Sequence, residues 1–144
     1  MGRKSQVLLF PFLLFAGGAQ AETLGLTVEG APKAGTLHIG IFNSAEGYEA
    51  KDTGGPGPRP GLVLGERYPV PPGKSRLALE LPPGTYAIKL FLDLNGNGKI
   101  DTNFLGIPKE PYGFSNNAKG TLGPPAFEAA AFELNEDREL TVNL

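Results

Sequence analysis

The sequence predicts an all-β protein: an antiparallel β-sandwich of about seven strands, transthyretin-like or Ig-like. Three observations carry this. Apolar residues alternate with polar ones in five separate stretches, the period that gives a strand one buried face. The 21 Gly and 14 Pro are spread between those stretches as punctuation, which cuts the chain into short elements. No helical period persists long enough to build a bundle.

The elements follow in chain order. Leu24, Leu26 and Val28 alternate with Gly25, Thr27 and Glu29. Leu37, Ile39 and Ile41 alternate with His38 and Gly40, which points His38 outward as an ordinary surface residue. Leu62 to Val70 contains Gly65 and Pro69, and Pro confines such a segment to a sheet edge. Leu77, Leu79 and Leu81 form a further strand, as do Tyr86, Ile88, Leu90 and Leu92. Phe127 to Leu134 reads as a turn over Phe127 to Ala129 and a strand from Ala130, although its Ala and Glu also suit a short helix. Leu140, Val142 and Leu144 close the set. Two connections are long. Asn43 to Pro60 reads as a surface loop, and Thr102 to Ala126 as a loop that is functional or organised by an ion.

The N-terminus reads as a cleavable export signal over residues 1–21. Arg3 and Lys4 precede an apolar run from Val7 to Phe15, and Ala19-Gln20-Ala21 offers small residues for cleavage. A membrane anchor needs roughly 20 apolar residues, and this run is shorter. The expected mature product is a single domain, Glu22 to Leu144, of 144 − 21 = 123 residues, periplasmic or secreted. Without Arg3 and Lys4 it holds 11 basic and 15 acidic residues, a formal charge of −4. That balance argues against a nucleic-acid partner. No later segment is apolar enough to span a bilayer. Cys is absent and His38 is the only His, which rules out thiol catalysis, disulfides and multi-His zinc sites.

Asp93 to Asp101 reads D-x-N-x-N-G-x-I-D, the first nine positions of an EF-hand-type calcium loop. Calcium is a hard cation that takes six to eight oxygens. Alternate residues Asp93, Asn95 and Asn97 aim side-chain oxygens inward, Gly98 makes the sharp turn, the Lys99 carbonyl faces the ion and Asp101 reaches it directly or through water. Ile100 is expected to point into the core. The bidentate Glu of position twelve is replaced by Phe104, and the loop follows a strand. Only two carboxylates remain, with Glu110 the nearest additional donor. A Kd of about 10⁻⁴ to 10⁻³ M adds about 0.4 to 1.4 kcal/mol of stability in millimolar calcium. The competing reading is a plain pair of Asn-Gly turns.

Three stretches resemble a known family: LPPGTYAI (Leu81 to Ile88), DLNGNGKIDTNFLGIPKEPYGFSNNAKG (Asp93 to Gly120) and GPPAFEAAAFEL (Gly123 to Leu134). Together they resemble the bacterial exported family called domain of unknown function 2141. LPPGTYAI also looks like the strand entry of transthyretin-like and collagen-adhesin B-type sandwiches. The resemblance implies an exported β-sandwich with no assigned activity and supplies no catalytic residues.

The functional expectation is a non-enzymatic, calcium-stabilised binding module of the cell envelope. Tyr112, Phe114 and Asn116 are the candidates for contact with an envelope protein, peptide or glycan. For each of the aromatics Phe104, Tyr112 and Phe114 the expected placement is nevertheless inward, pinning the loop against the sandwich; the alternative function is a purely structural accessory domain of the envelope without metal, which such burial would favour. Exposed aromatics in residues 104–120 decide for binding. A hydrolase is the least favoured reading. Ser44, Ser75 and Ser115 lie outside any G-x-S-x-G motif, and Asp101 with Glu110 is the one candidate carboxylate pair.

Overall fold

Each period-two stretch becomes a strand, and their apolar faces meet in one core. The computed structural model describes residues 7–9, 20–50, 59–121 and 123–144. The export-signal reading and the tip of the Asn43 to Pro60 loop lie largely outside these residues. The order is β1 (Val7–Leu9), β2 (Glu22–Ala31), β3 (Gly35–Phe42), α1 (Ala45–Glu49), β4 (Leu62–Val70), β5 (Gly73–Leu81), β6 (Gly84–Asp93), β7 (Tyr112–Phe114), a 3₁₀ turn (Ser115–Asn117), α2 (Phe127–Ala130), β8 (Phe132–Leu134) and β9 (Arg138–Asn143).

One sheet runs β1-β5-β2-β9; the other runs β4-β3-β6-β7, with β8 also on β6. Leu24, Leu26, Leu77, Leu79 and Val142 of the first sheet face Leu37, Ile39, Ile41, Ile88, Leu90 and Leu92 of the second, all nearly or completely buried. That is a sandwich. The segment with Pro69 is indeed an edge strand. The run after Pro125 folds as a single helical turn, α2, and then β8.

Two pairings are parallel, β2 with β9 and β1 with β5, so the sandwich is not wholly antiparallel. The cause is topological. β9 arrives from the opposite sheet, free of the hairpin geometry that forces antiparallel neighbours. Asp137 ties the crossing down by accepting from the Thr23 N–H at 2.8 Å.

The outer face of the second sheet is also covered. Phe42, Tyr48, Ala87, Phe114 and Ala130 form a second buried cluster under α1, α2 and the 3₁₀ turn. Alternation therefore fails in the middle of β6, where Tyr86, Ala87 and Ile88 are all buried. Ser115 stitches this layer to the sheet: its hydroxyl accepts from the Ile88 N–H at 2.9 Å and donates to the Ala130 carbonyl. Ser44 caps α1, and Ser75 is buried in β5. At the end of β6, beyond both clusters, the chain leaves the sandwich as the Asp93 loop.

Candidate functional site

The Asp93 loop is built by its own acceptors. Asp93, at the end of β6 and 3 % exposed, accepts from the Gly96 N–H at 2.8 Å and the Gly98 N–H at 2.7 Å. Gly96 and Gly98 have φ of 75° and 79°, the left-handed region where Gly carries no steric cost. The Asn95 side chain accepts from the Asn97 N–H, and the Asn97 side chain from the Lys99 N–H. These successive Asx turns shape the loop, with the Asn95 and Asn97 side chains exposed. Asp101 closes the ring, accepting from the side-chain amides of Asn95 and Asn97 at 2.5 and 2.6 Å.

Burial pushes the Asp93 carboxyl up, but the Gly98 and Gly96 N–H groups and His38 outweigh it and hold it below the usual carboxylate value. The amides of Asn97 and Asn95 hold Asp101 down in the same way. Both groups are therefore carboxylates at neutral pH.

The donors fit a hard cation: two carboxylates, two amides and the Lys99 carbonyl are all oxygen ligands. An entering ion would replace the amide-to-carboxylate bonds within the ring, with the two amide oxygens turned toward it. Among the described residues no three His, Asp or Glu side chains gather closely enough to hold a metal. An ion here therefore depends on Asn95, Asn97 and the Lys99 carbonyl.

Two neighbours were not assigned these roles by alternation or motif. His38 does leave the core side of β3, but it is not an ordinary surface residue. Its ring stacks on Phe91 at 4.5 Å, and its Nε2 lies 3.4 Å from Asp93 Oδ2. Glu110 is 6 % exposed and spans the two ends of the loop. Its carboxylate accepts from the Leu94 N–H at 2.6 Å and the Asp101 N–H at 2.9 Å. Ile100 is only half-buried; the loop residue that packs against the core is Leu94.

The chain beyond Asp101, expected as part of a long loop, is an ordered hairpin. Thr102 bridges to Pro108, and the Lys109 N–H donates to the Asp101 carbonyl at 2.7 Å. At the tip, the Gly106 N–H donates to the Asn103 carbonyl and the Asn103 N–H to the Ile107 carbonyl, both at 2.9 Å. The Asn103 side chain accepts from the Leu105 and Ile107 N–H groups at 2.8 and 3.1 Å. Gly106 sits at φ 78°, the αL position that closes such a turn. The tip exposes Phe104 at 95 %, Leu105 at 69 % and Ile107 at 55 %. The expected inward packing is thus overturned for Phe104, whose side chain leaves the turn at the hairpin tip, and for Tyr112, which is also exposed; it holds for Phe114.

The other proposed contact residues separate. Tyr112 is 47 % exposed. Phe114 is buried in the second cluster, edge-on to Tyr48. The Asn116 amide donates to the Ala129 and Ala131 carbonyls. Phe114 is therefore withdrawn into the outer layer, whereas Tyr112 and Asn116 are exposed, the latter with its amide NH₂ engaged by the two carbonyls.

A search of curated proteins and a search of solved structures each return no match. A family model described as "Uncharacterized protein conserved in bacteria (DUF2141)" matches residues 26–143. That span holds most of the two-sheet core, the Asp93 loop and the hairpin beyond it, so the chain belongs to this family of uncharacterized bacterial proteins.

Proposed function

We propose that this protein is an exported, non-enzymatic binding module of the cell envelope, in which a weak calcium site at Asp93 to Asp101 steadies the 102–108 hairpin. The observation that carries the reading is the apolar tip at Phe104, Leu105 and Ile107, presented on a hairpin whose base is the loop itself. Soluble domains seldom spend large side chains this way without a partner. Glu110 couples loop to hairpin, since one carboxylate holds both Leu94 and Asp101. Outside the cytoplasm, a site with only two carboxylates meets enough calcium to fill.

Calcium titration by calorimetry on the processed protein, repeated with Asp93→Ala, tests the ion. A heat present in the parent and lost in the variant is expected; equal heats contradict the assignment. The second reading is an accessory envelope domain without metal. It is favoured by the loop's internal hydrogen bonds, which satisfy Asp93 and Asp101 without an ion.

A further inference from the structure

We infer that Asn95 and Asn97 are sites of spontaneous deamidation, which the folded loop holds in check by tying both attacking backbone nitrogens to the Asp93 carboxylate. The inference goes beyond the binding-module reading and does not rest on calcium.

Asn95-Gly96 and Asn97-Gly98 are the only Asn-Gly pairs in the chain. Asn is a chemically labile residue, and a following Gly, with no Cβ, leaves the next backbone nitrogen open to the Asn side chain. In the reaction the Gly nitrogen bonds to the Asn side-chain carbonyl carbon. The carbon–NH₂ bond breaks, and the N–H proton leaves with that group as ammonia. Water then opens the five-membered imide to Asp or isoaspartate. All four residues are exposed, so water reaches both pairs.

The loop opposes the first step at both pairs. The Gly nitrogen must give up its proton, and here the Gly96 and Gly98 N–H groups donate to the two oxygens of Asp93 at 2.8 and 2.7 Å. A carboxylate beside the nitrogen disfavours the developing negative charge. It is also far too weak a base to take the proton itself. The side chains are held as well. Each amide NH₂ donates to Asp101, and each amide oxygen accepts from the N–H two residues on. Turning the carbonyl carbon toward the Gly nitrogen breaks these bonds. Each conversion puts a carboxylate where an amide donated to Asp101, so the product repels the group that closed the ring.

Incubation of the protein at neutral pH, followed by peptide mapping with mass spectrometry, tests this; each event adds about 1 Da. The same chain held in denaturant gives the unguarded rate. The folded parent is expected to react at least about tenfold more slowly at both positions, since a hydrogen bond to a charged group must first be broken. Asp93→Ala should recover most of that difference. Asp93→Asn offers one oxygen in place of two and should speed at least one pair, so the test survives if the alanine variant does not fold. Leu79→Ala weakens the core but leaves the loop its carboxylate. At an equal interval below its own Tm it should stay as slow as the parent.

A folded parent that reacts as fast as the denatured chain overturns the inference. Folded Asp93 variants that react no faster than the parent do the same. Equal acceleration in Leu79→Ala and in the Asp93 variants assigns the reaction to global unfolding and removes Asp93 as the guard.

Discussion

Replacing Glu110 with Ala removes the clasp between loop and hairpin. The carboxylate is buried and accepts two backbone N–H groups, from Leu94 and Asp101. Hydrogen bonds to a charged group contribute about 1.5 to 3 kcal/mol each. Water can reach part of the vacated space, so the expected loss is about 2 to 4 kcal/mol. For a domain of this size that lowers Tm by roughly 10 °C. Glu110→Gln is not conservative here. The clasp needs two acceptors, and Gln supplies one oxygen and one NH₂, which sets a donor against a donor. It should cost at least about 1 kcal/mol. Thermal unfolding followed by circular dichroism gives the stability. Amide exchange at Leu94 and Asp101 gives the locality, with both expected to quicken in either variant. A Tm within about 2 °C of the parent, with exchange at those two amides unchanged, refutes the clasp.

Three further predictions follow from the same structure. Asp93 has its folded pKa depressed, so its contribution is present above the ordinary carboxylate value of about 4 and is lost as pH falls through the lower folded value; the Tm gap between parent and Asp93→Asn should close in acid. Tyr48 and Tyr68 have buried hydroxyls with no hydrogen-bond partner among the described residues, and burial pushes each up to about 12 from 10.0. Their contribution is full below pH 10 and is lost as pH rises toward 12, so stability should fall over that window as tyrosinate absorbance appears late. Gly98→Ala meets no atom within 4 Å of the added Cβ but must hold φ 79°, so a loss of about 1 to 2 kcal/mol is expected from backbone strain alone; chemical denaturation measures it, and a neutral result shows that the turn relaxes.

Much of the fold could be read from alternation. The strands at Leu24, Leu37, Leu77, Tyr86 and Leu140 each show one apolar face, and Pro69 marked its strand as an edge. Alternation says nothing about a second layer. Alternation sets Ala87 outward, and its cover, α1 and α2, comes from short segments with no helical period of their own. Alternation also sets His38 on the outer side of β3, but its contact with Asp93 depends on register with β6, which pairs His38 with Phe91. The motif names Asp93, Asn95, Asn97 and Asp101, and these four side chains do make the loop's internal hydrogen bonds, because Asx turns are local. Glu110 could be named from the sequence as a neighbour but not as a clasp, since its partners lie 16 and 9 residues away. The hairpin tip has one local signal: Asn103 three residues before Gly106 suits a turn closed by an αL Gly.

Amide hydrogen exchange with and without calcium tests most directly the claim that an ion on the loop steadies the 102–108 hairpin. The account predicts increased protection at Leu94 and Asp101, and also at Leu105 and Ile107 in the tip, with the increase abolished by Asp93→Ala. Protection that is unchanged by calcium at all four amides contradicts it.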